Sequence, residues 1–126
     1  MGGECILVSQ FTGIRWLPPG STVNVLLGEA SLRGDLCTAS FALAFDKDGR
    51  LLLSDVRKRG TDIPGGHIET GESAVEAAIR ETKEETGAEI RILGLVGYLH
   101  LHVLEPPIGY RYPTPHAYQP SYAPPL

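Results

Sequence analysis

Residues 66–88 read GHIETGESAVEAAIRETKEETGA. Glu72 stands apart in this stretch; Arg80, Glu81, Glu84 and Glu85 follow one helical segment later, and Gly87 closes the run. At about 100° per residue, Glu81, Glu84 and Glu85 fall on one narrow helix face, where like charges repel unless something positive sits among them. A bound divalent cation is the simplest resolution.

The helix is signalled at both ends. Ser73 with Glu76 three residues later forms a capping box, and Gly87 offers the left-handed conformation in which helices stop. Val75, Ile79, Thr82 and Thr86 are expected on the flank that packs against a sheet. Ala74, Ala77 and Ala78 are expected on the carboxylate face, where small side chains leave room for ions and substrate. Upstream, Pro64-Gly65-Gly66 predicts a turn that brings backbone close, so that the Gly66 carbonyl could join the carboxylates as a ligand. Hard oxygen donors of this kind suit Mg²⁺ or Mn²⁺.

Gly66, five residues, Glu72, seven residues and then Arg80-Glu81-Thr82-Lys83-Glu84-Glu85-Thr86-Gly87-Ala88 resemble the Nudix box, the signature of hydrolases acting on a nucleoside diphosphate linked to another moiety. Every charged and glycine position matches, while Thr82 stands where an aliphatic residue is usual and Ala88 is a small closing residue. The resemblance implies a Nudix-type α/β/α sandwich with a mixed sheet. It implies a pyrophosphohydrolase, with nucleoside triphosphates or oxidised nucleotides favoured as small-molecule substrates and ADP-ribose next. Glu81, Glu84, Glu85 and Gly66 would hold the metal, Arg80 would orient a box glutamate through an ion pair, and Glu72 would act as a ligand or support the ligands from behind. The alternative is a non-catalytic, Nudix-like nucleotide-binding or regulatory domain.

With 126 residues, 42% hydrophobic and 21% charged, the chain reads as one soluble globular domain. No apolar run reaches membrane-span length and the N-terminus lacks the basic region of a signal peptide, so a cytoplasmic location is the default expectation. A net charge of −4 argues against a general nucleic-acid surface, which needs clustered Lys and Arg. Cys5 and Cys37 read as isolated reduced thiols, and the four histidines show no zinc-type spacing.

Two β-prone runs, Cys5 to Phe11 and Thr22 to Leu27, are separated by Pro18-Pro19-Gly20 and predict a hairpin. Leu36 to Phe45 and Arg50 to Val56 predict strands joined by a turn at Asp46-Lys47-Asp48-Gly49. Ile90 to Leu104 alternates, with Leu99, Leu101 and Val103 on one side and Tyr98, His100 and His102 on the other. Arg57, Lys58 and Arg59 are candidates for meeting phosphate; Trp16, Tyr98, Tyr110 and Tyr112 are candidates for stacking a base. Residues 1–104 are expected to form the domain core. Residues 105–126 contain Pro106, Pro107, Pro113, Pro115, Pro120, Pro124 and Pro125, so they are expected to supply at most an edge strand or to be disordered. The C-terminal helix usual in the fold therefore has no evident source; the sheet is completed by the tyrosine-rich tail, or a second subunit in a homodimer covers the opening. Beyond Ala88 the only side-chain carboxylates are Glu89 and Glu105, which leaves Glu105 as the acidic loop candidate for a general base, with a box glutamate or metal-bound hydroxide favoured over it.

Overall fold

The computed structural model describes residues 5–28, 32–56, 60–91 and 94–124. In chain order the strands are β1 (Cys5–Thr12), β2 (Thr22–Gly28), β3 (Ala39–Ala42), β4 (Ser54–Val56), β5 (Gly60–Asp62) and β6 (Gly65–His67). Helix α1 (Ala74–Thr86), β7 (Gly94–His102) and β8 (His116–Ala123) follow. Six strands form one mixed sheet in the order β1-β2-β7-β8-β3-β6, and β4 and β5 make a separate two-stranded ribbon. Only the β3–β8 pair is parallel. The predicted N-terminal hairpin is present as β1–β2, and the Asp46–Gly49 turn is closed by Asp46 N–H to Arg50 O at 2.9 Å.

The largest departure from expectation lies at residues 105–126. Residues 116–123 are not an edge: β8 runs through the sheet interior, paired along its length with β7 and also with β3. Residues 116–123 thus belong to the same six-stranded sheet as β1, β2, β3, β6 and β7. Pro120 has no N–H to donate, yet pairs opposite Tyr98. On the β3 side the contact is broken around it, with a bridge at Cys37–Tyr118 and regular pairing resuming at Phe41–Ser121. Pro106, Pro107, Pro113 and Pro115 sit in the connection between β7 and β8.

Among the described residues α1 is the sole α-helix, and it packs on one face of the sheet. Ala78 meets Ala42 and Tyr122, flanked by Ala74, Val75, Ile90 and Leu95, while Ser40 Oγ donates to the Ala74 carbonyl at 2.6 Å. The alanines expected beside the carboxylates thus do a different job: Ala77 and Ala78 are fully buried, and their small size brings α1 close to β3. The opposite face is covered by irregular segments in place of a helix, with Leu17, Val23, Leu101, Val103 and Ala117 as its core and Ile14 and Tyr110 packed on them. Proline-rich chain can supply such a cover without helical hydrogen bonds.

Beside α1 and on the same face, β7 and β8 carry an aromatic stripe. His100, His102 and His116 stack with centroids 5.0 to 5.9 Å apart, and Tyr118 stacks on His100 at 5.1 Å. His100 Nδ1 lies 3.1 Å from Asn24 Nδ2, and its Nε2 lies 2.8 Å from His116 Nδ1. The groups touching His100 are Asn24 from β2, His102 on its own strand, and His116 and Tyr118 from β8; none is a carboxylate. Burial and then the neighbouring His116 and His102 push its pKa below the usual histidine value. The unfolded chain therefore binds the proton more readily than the folded one, so this contribution to stability is present above the unfolded pKa of about 6.5 and is lost as pH falls below it. Melting temperature is expected to drop between about pH 7 and pH 5, and His100→Gln is expected to flatten that dependence. Parallel profiles for the two proteins would exclude His100 as the cause.

Candidate active site

Arg80 is the hub around which the box is assembled. The capping box is formed, with Ser73 Oγ accepting from Glu76 N–H and Glu76 accepting from Ser73 N–H, and Gly87 ends the helix at φ 78°. This frame aims Arg80 at the loop before α1. Arg80 Nε donates to Glu72 Oε2 at 2.7 Å and Nη2 to Glu72 Oε1 at 3.0 Å. Its Nη1 donates to Glu81 Oε1 at 3.0 Å and to Glu84 Oε2 at 3.1 Å. Nη2 also donates to the His67 carbonyl at 3.1 Å, and Glu69 Oε1 lies 3.6 Å from Nη1. Only the planar guanidinium offers enough donors for such a set; a lysine would satisfy part of it.

One guanidinium thus faces four carboxylates, with Glu85 one turn beyond Glu81. The hydrogen bonds from Arg80 and then the Glu69 N–H hold Glu72 below the usual glutamate range, and the same pairing raises Arg80. Glu81 moves the other way: burial raises its pKa, the charges of Glu85 and Glu84 add to the rise, and Arg80 only partly opposes it. Glu85 is half-buried, with one carboxylate oxygen sealed from solvent.

Among the described residues no three His, Cys, Asp or Glu side chains converge as a metal cage. Glu81 and Glu84 turn oxygens toward Arg80 instead. The donor set still suits a hard divalent cation, being three carboxylates on one helix beside a glycine backbone. At Gly66 an added Cβ would stand 2.7 Å from the Glu81 carboxyl carbon, so the backbone lies directly against that carboxylate. Gly66→Ala is expected to cost little stability, since the end of Glu81 can swing aside, but to displace the carboxylate and lower turnover. Gly97→Ala makes the contrast, because there the new methyl meets the Leu26 backbone carbonyl, which cannot move without breaking the β2–β7 pairing. Thermal melts should separate the two; wild-type turnover in Gly66→Ala would show that the Glu81 position is not critical.

The sheet face away from α1 carries a cavity of about 510 Å³ lined by Trp16, Thr38, His67, Tyr110, Tyr112 and Gln119, with Leu101 and Ala117 among its apolar floor. His67 joins it to the box. Its carbonyl accepts from Arg80, while its Nε2 lies 2.8 Å from Tyr112 Oη and its ring stacks on Tyr112 at 5.7 Å. Arg111, which is not among the lining residues, places its Cζ 5.9 Å from the centre of the Tyr112 ring.

The structure therefore brings Gly66, Glu72, Arg80, Glu81 and Glu84 together, with Glu85 adjacent, and places Trp16, Tyr110 and Tyr112 around the cavity. Tyr98 does not join them. It is 4% exposed, points to the α1 face opposite the cavity, and contacts Cys5 Sγ through its hydroxyl at 3.2 Å. Its assignment to substrate is corrected, since strand alternation puts Leu99 and Leu101, not Tyr98, on the cavity side. Arg57 and Arg59 lie outside the described residues. Glu89 is paired with Lys83 at 2.9 Å, and Glu105 is exposed, with no recorded contact to the box among the described residues. Thr38, His67 and Gln119 were not singled out for substrate from sequence; nothing in their local spacing signals a shared wall.

The NUDIX domain family matches residues 36–125, and the chain belongs to that family. It is 49% identical over 49 residues to a Bacillus subtilis protein provisionally named an 8-oxo-dGTP diphosphatase, YtkD, covering 39% of this chain and 31% of that one. It is 36% identical over 58 residues to the ADP-ribose pyrophosphatase of Methanocaldococcus jannaschii, covering 41% and 33% respectively. The match thus spans about a third of each of these relatives. The crystal structure of the Bacillus subtilis pyrophosphohydrolase BsRppH shares the fold, with a TM-score of 0.65 at 24% identity over 93% of this chain and 65% of that one. Among the described residues no helix is long and apolar enough to cross a membrane.

Proposed function

We propose that this chain hydrolyses a phosphoanhydride bond in a nucleoside diphosphate derivative with Mg²⁺ or Mn²⁺ as cofactor. The observation that carries the reading is the continuity of the Arg80-centred carboxylate cluster with an aromatic cavity through one residue, His67. Glu81, Glu84, Glu85 and the Gly66 carbonyl are the groups that would hold the ion. When bound, such an ion neutralises phosphate charge and lowers the pKa of water.

The chain's own residues supply position. Glu72 fixes Arg80 through a two-pronged pair, and Arg80 in turn fixes Glu81 and Glu84, so the acidic face is set before substrate arrives. Trp16, Tyr110 and Tyr112 offer flat apolar surfaces to a nucleobase, and the cavity is large enough for one with its sugar. A nucleoside triphosphate or an oxidised nucleotide is the favoured substrate and ADP-ribose the next, a ranking supported by the names of the two relatives.

A panel of these nucleotides, assayed with Mg²⁺, with Mn²⁺ and with excess chelator, tests the reading. Turnover of at least one with either metal and its loss in chelator are expected. Undiminished turnover in chelator would refute the metal requirement, and no turnover of any nucleotide would refute the reading itself.

A further inference from the structure

Two polar side chains in the cavity are not used by the fold. Thr38 donates its main-chain N–H to Tyr118 O at 3.0 Å and accepts from Ile68 N–H at 3.0 Å through its carbonyl, so its backbone is satisfied and only its hydroxyl is left over. Gln119 is held in β8 opposite Leu99 and presents its amide on the same face as Ala117. Neither side chain hydrogen-bonds to another described residue. The other polar side chain in the lining, the His67 imidazole, is already engaged with Tyr112. Among the described residues no Asp, Glu, Lys or Arg lines the cavity. Both residues are half-buried, so their polar groups stay accessible to a bound partner with matching groups.

We propose that Gln119 is the base-reading residue of this cavity, pairing its carbonyl and its NH₂ with a donor and an adjacent acceptor on the edge of a purine, with Thr38 as a second polar contact. The inference rests on the cavity being the base subsite of the proposed hydrolase. Trp16, Tyr110 and Tyr112 offer flat apolar surfaces to a planar ligand, and none of the lining residues is Asp, Glu, Lys or Arg, which favours a neutral partner there over a phosphate. An amide is one of the two side chains able to make a two-point donor–acceptor contact with a base edge while remaining uncharged. Rigid placement favours that role: Gln119 stands on the interior strand of the sheet, not on a loop.

The prediction is a directed change of preference. In Gln119→Glu the amide becomes two acceptors, which match the adjacent N1–H and N2–H donors of guanine but oppose the N1 or N7 acceptor of adenine. Gln119→Leu keeps the bulk and removes both contacts. Trp16 is the sole tryptophan of the chain and lines the cavity, so its fluorescence reports occupancy without turnover and without metal. Wild-type protein, Gln119→Leu and Gln119→Glu would be titrated with AMP and GMP, and with ribose 5-phosphate as a ligand lacking a base, after thermal melts confirm that each variant is folded.

The nucleotides, but not ribose 5-phosphate, are expected to quench Trp16. Gln119→Leu is expected to weaken binding about tenfold, and Gln119→Glu to raise the GMP-to-AMP affinity ratio by about tenfold or more, the scale of one two-point contact. If wild-type protein is quenched by the nucleotides but the variants keep its affinities and its ratio, Gln119 does not read the base while the cavity remains the base site. If ribose 5-phosphate quenches as well as the nucleotides, or none quenches while hydrolysis proceeds, the base subsite lies elsewhere and the proposal falls. Should Gln119→Glu not fold, the loss of affinity in folded Gln119→Leu still decides.

Discussion

Replacing Glu84 or Glu85 by Gln is expected to lower turnover by about a hundredfold or more while leaving the melting temperature close to that of the parent. That size is typical for removing one group that stabilises developing charge. Each change keeps the volume of the side chain and one acceptor oxygen, and removes the charge together with the second acceptor. Glu84 accepts one hydrogen bond from Arg80 and is otherwise more than half exposed, so the fold has little invested in it. Glu85 is half-buried and its amide is nearly isosteric, so packing is retained. The check is a pair of measurements on each variant, a thermal melt and kcat at saturating metal. Wild-type kcat in both would remove these carboxylates from the chemistry. A defect that rising metal concentration repairs would instead locate the loss in metal affinity.

Arg80→Ala is expected to have the second large effect, on stability and rate together. The guanidinium is mostly buried, at 23% exposure, and Glu72 and Glu81 beside it are at 14% and 18%. Removing it leaves these carboxylates facing one another with no counter-charge, and an ion pair broken on one side costs more than the pair contributed. A fall in melting temperature of more than about 5 °C is expected, with turnover reduced at least as much as in the glutamate variants. Arg80→Lys restores charge but not the fork, so it should recover stability better than rate. The ordering is the test: if Arg80→Ala melts with the parent, Arg80 is not the hub that its five hydrogen bonds indicate.

What could be read from sequence was local. The helix, its capping box, its glycine stop and the grouping of Arg80 with the glutamates depend on offsets of a few residues, and the chain displays those directly. The position of β8 depends on pairing Phe41 with Ser121 and Tyr98 with Pro120, and no local pattern announces a partner so far away. Proline density pointed the other way, because a proline forbids one hydrogen bond and not a whole strand. The alanine face was misjudged for a related reason. Periodicity identifies which residues share a helix face, but whether small residues there make room for a ligand or for another backbone is decided by the sheet. The cavity was the least legible feature, drawing its wall from Trp16, Thr38, His67, Tyr110, Tyr112 and Gln119 on separate segments. Three of those four aromatic and stacking side chains could be suspected from their chemistry alone; Tyr98 shared that chemistry and went to the core.

The interior position of β8 also sets an order of assembly. In the sheet order, β1, β2 and β7 lie on one side of it, and β3 and β6 with the helix packed on them lie on the other. Without residues 116–123 no backbone ladder among the described residues connects these two halves. A growing chain can form the N-terminal hairpin and the capped helix early, but the acidic cluster and the aromatic wall acquire a fixed separation only when β8 slots between the halves. Long-range closure of this kind is slow compared with forming a helix or a hairpin. Cleavage within residues 103–115 before that step would leave β8 as a lone strand without ladder partners and both halves in the other fragment, without the wall that Ala117 and Gln119 supply.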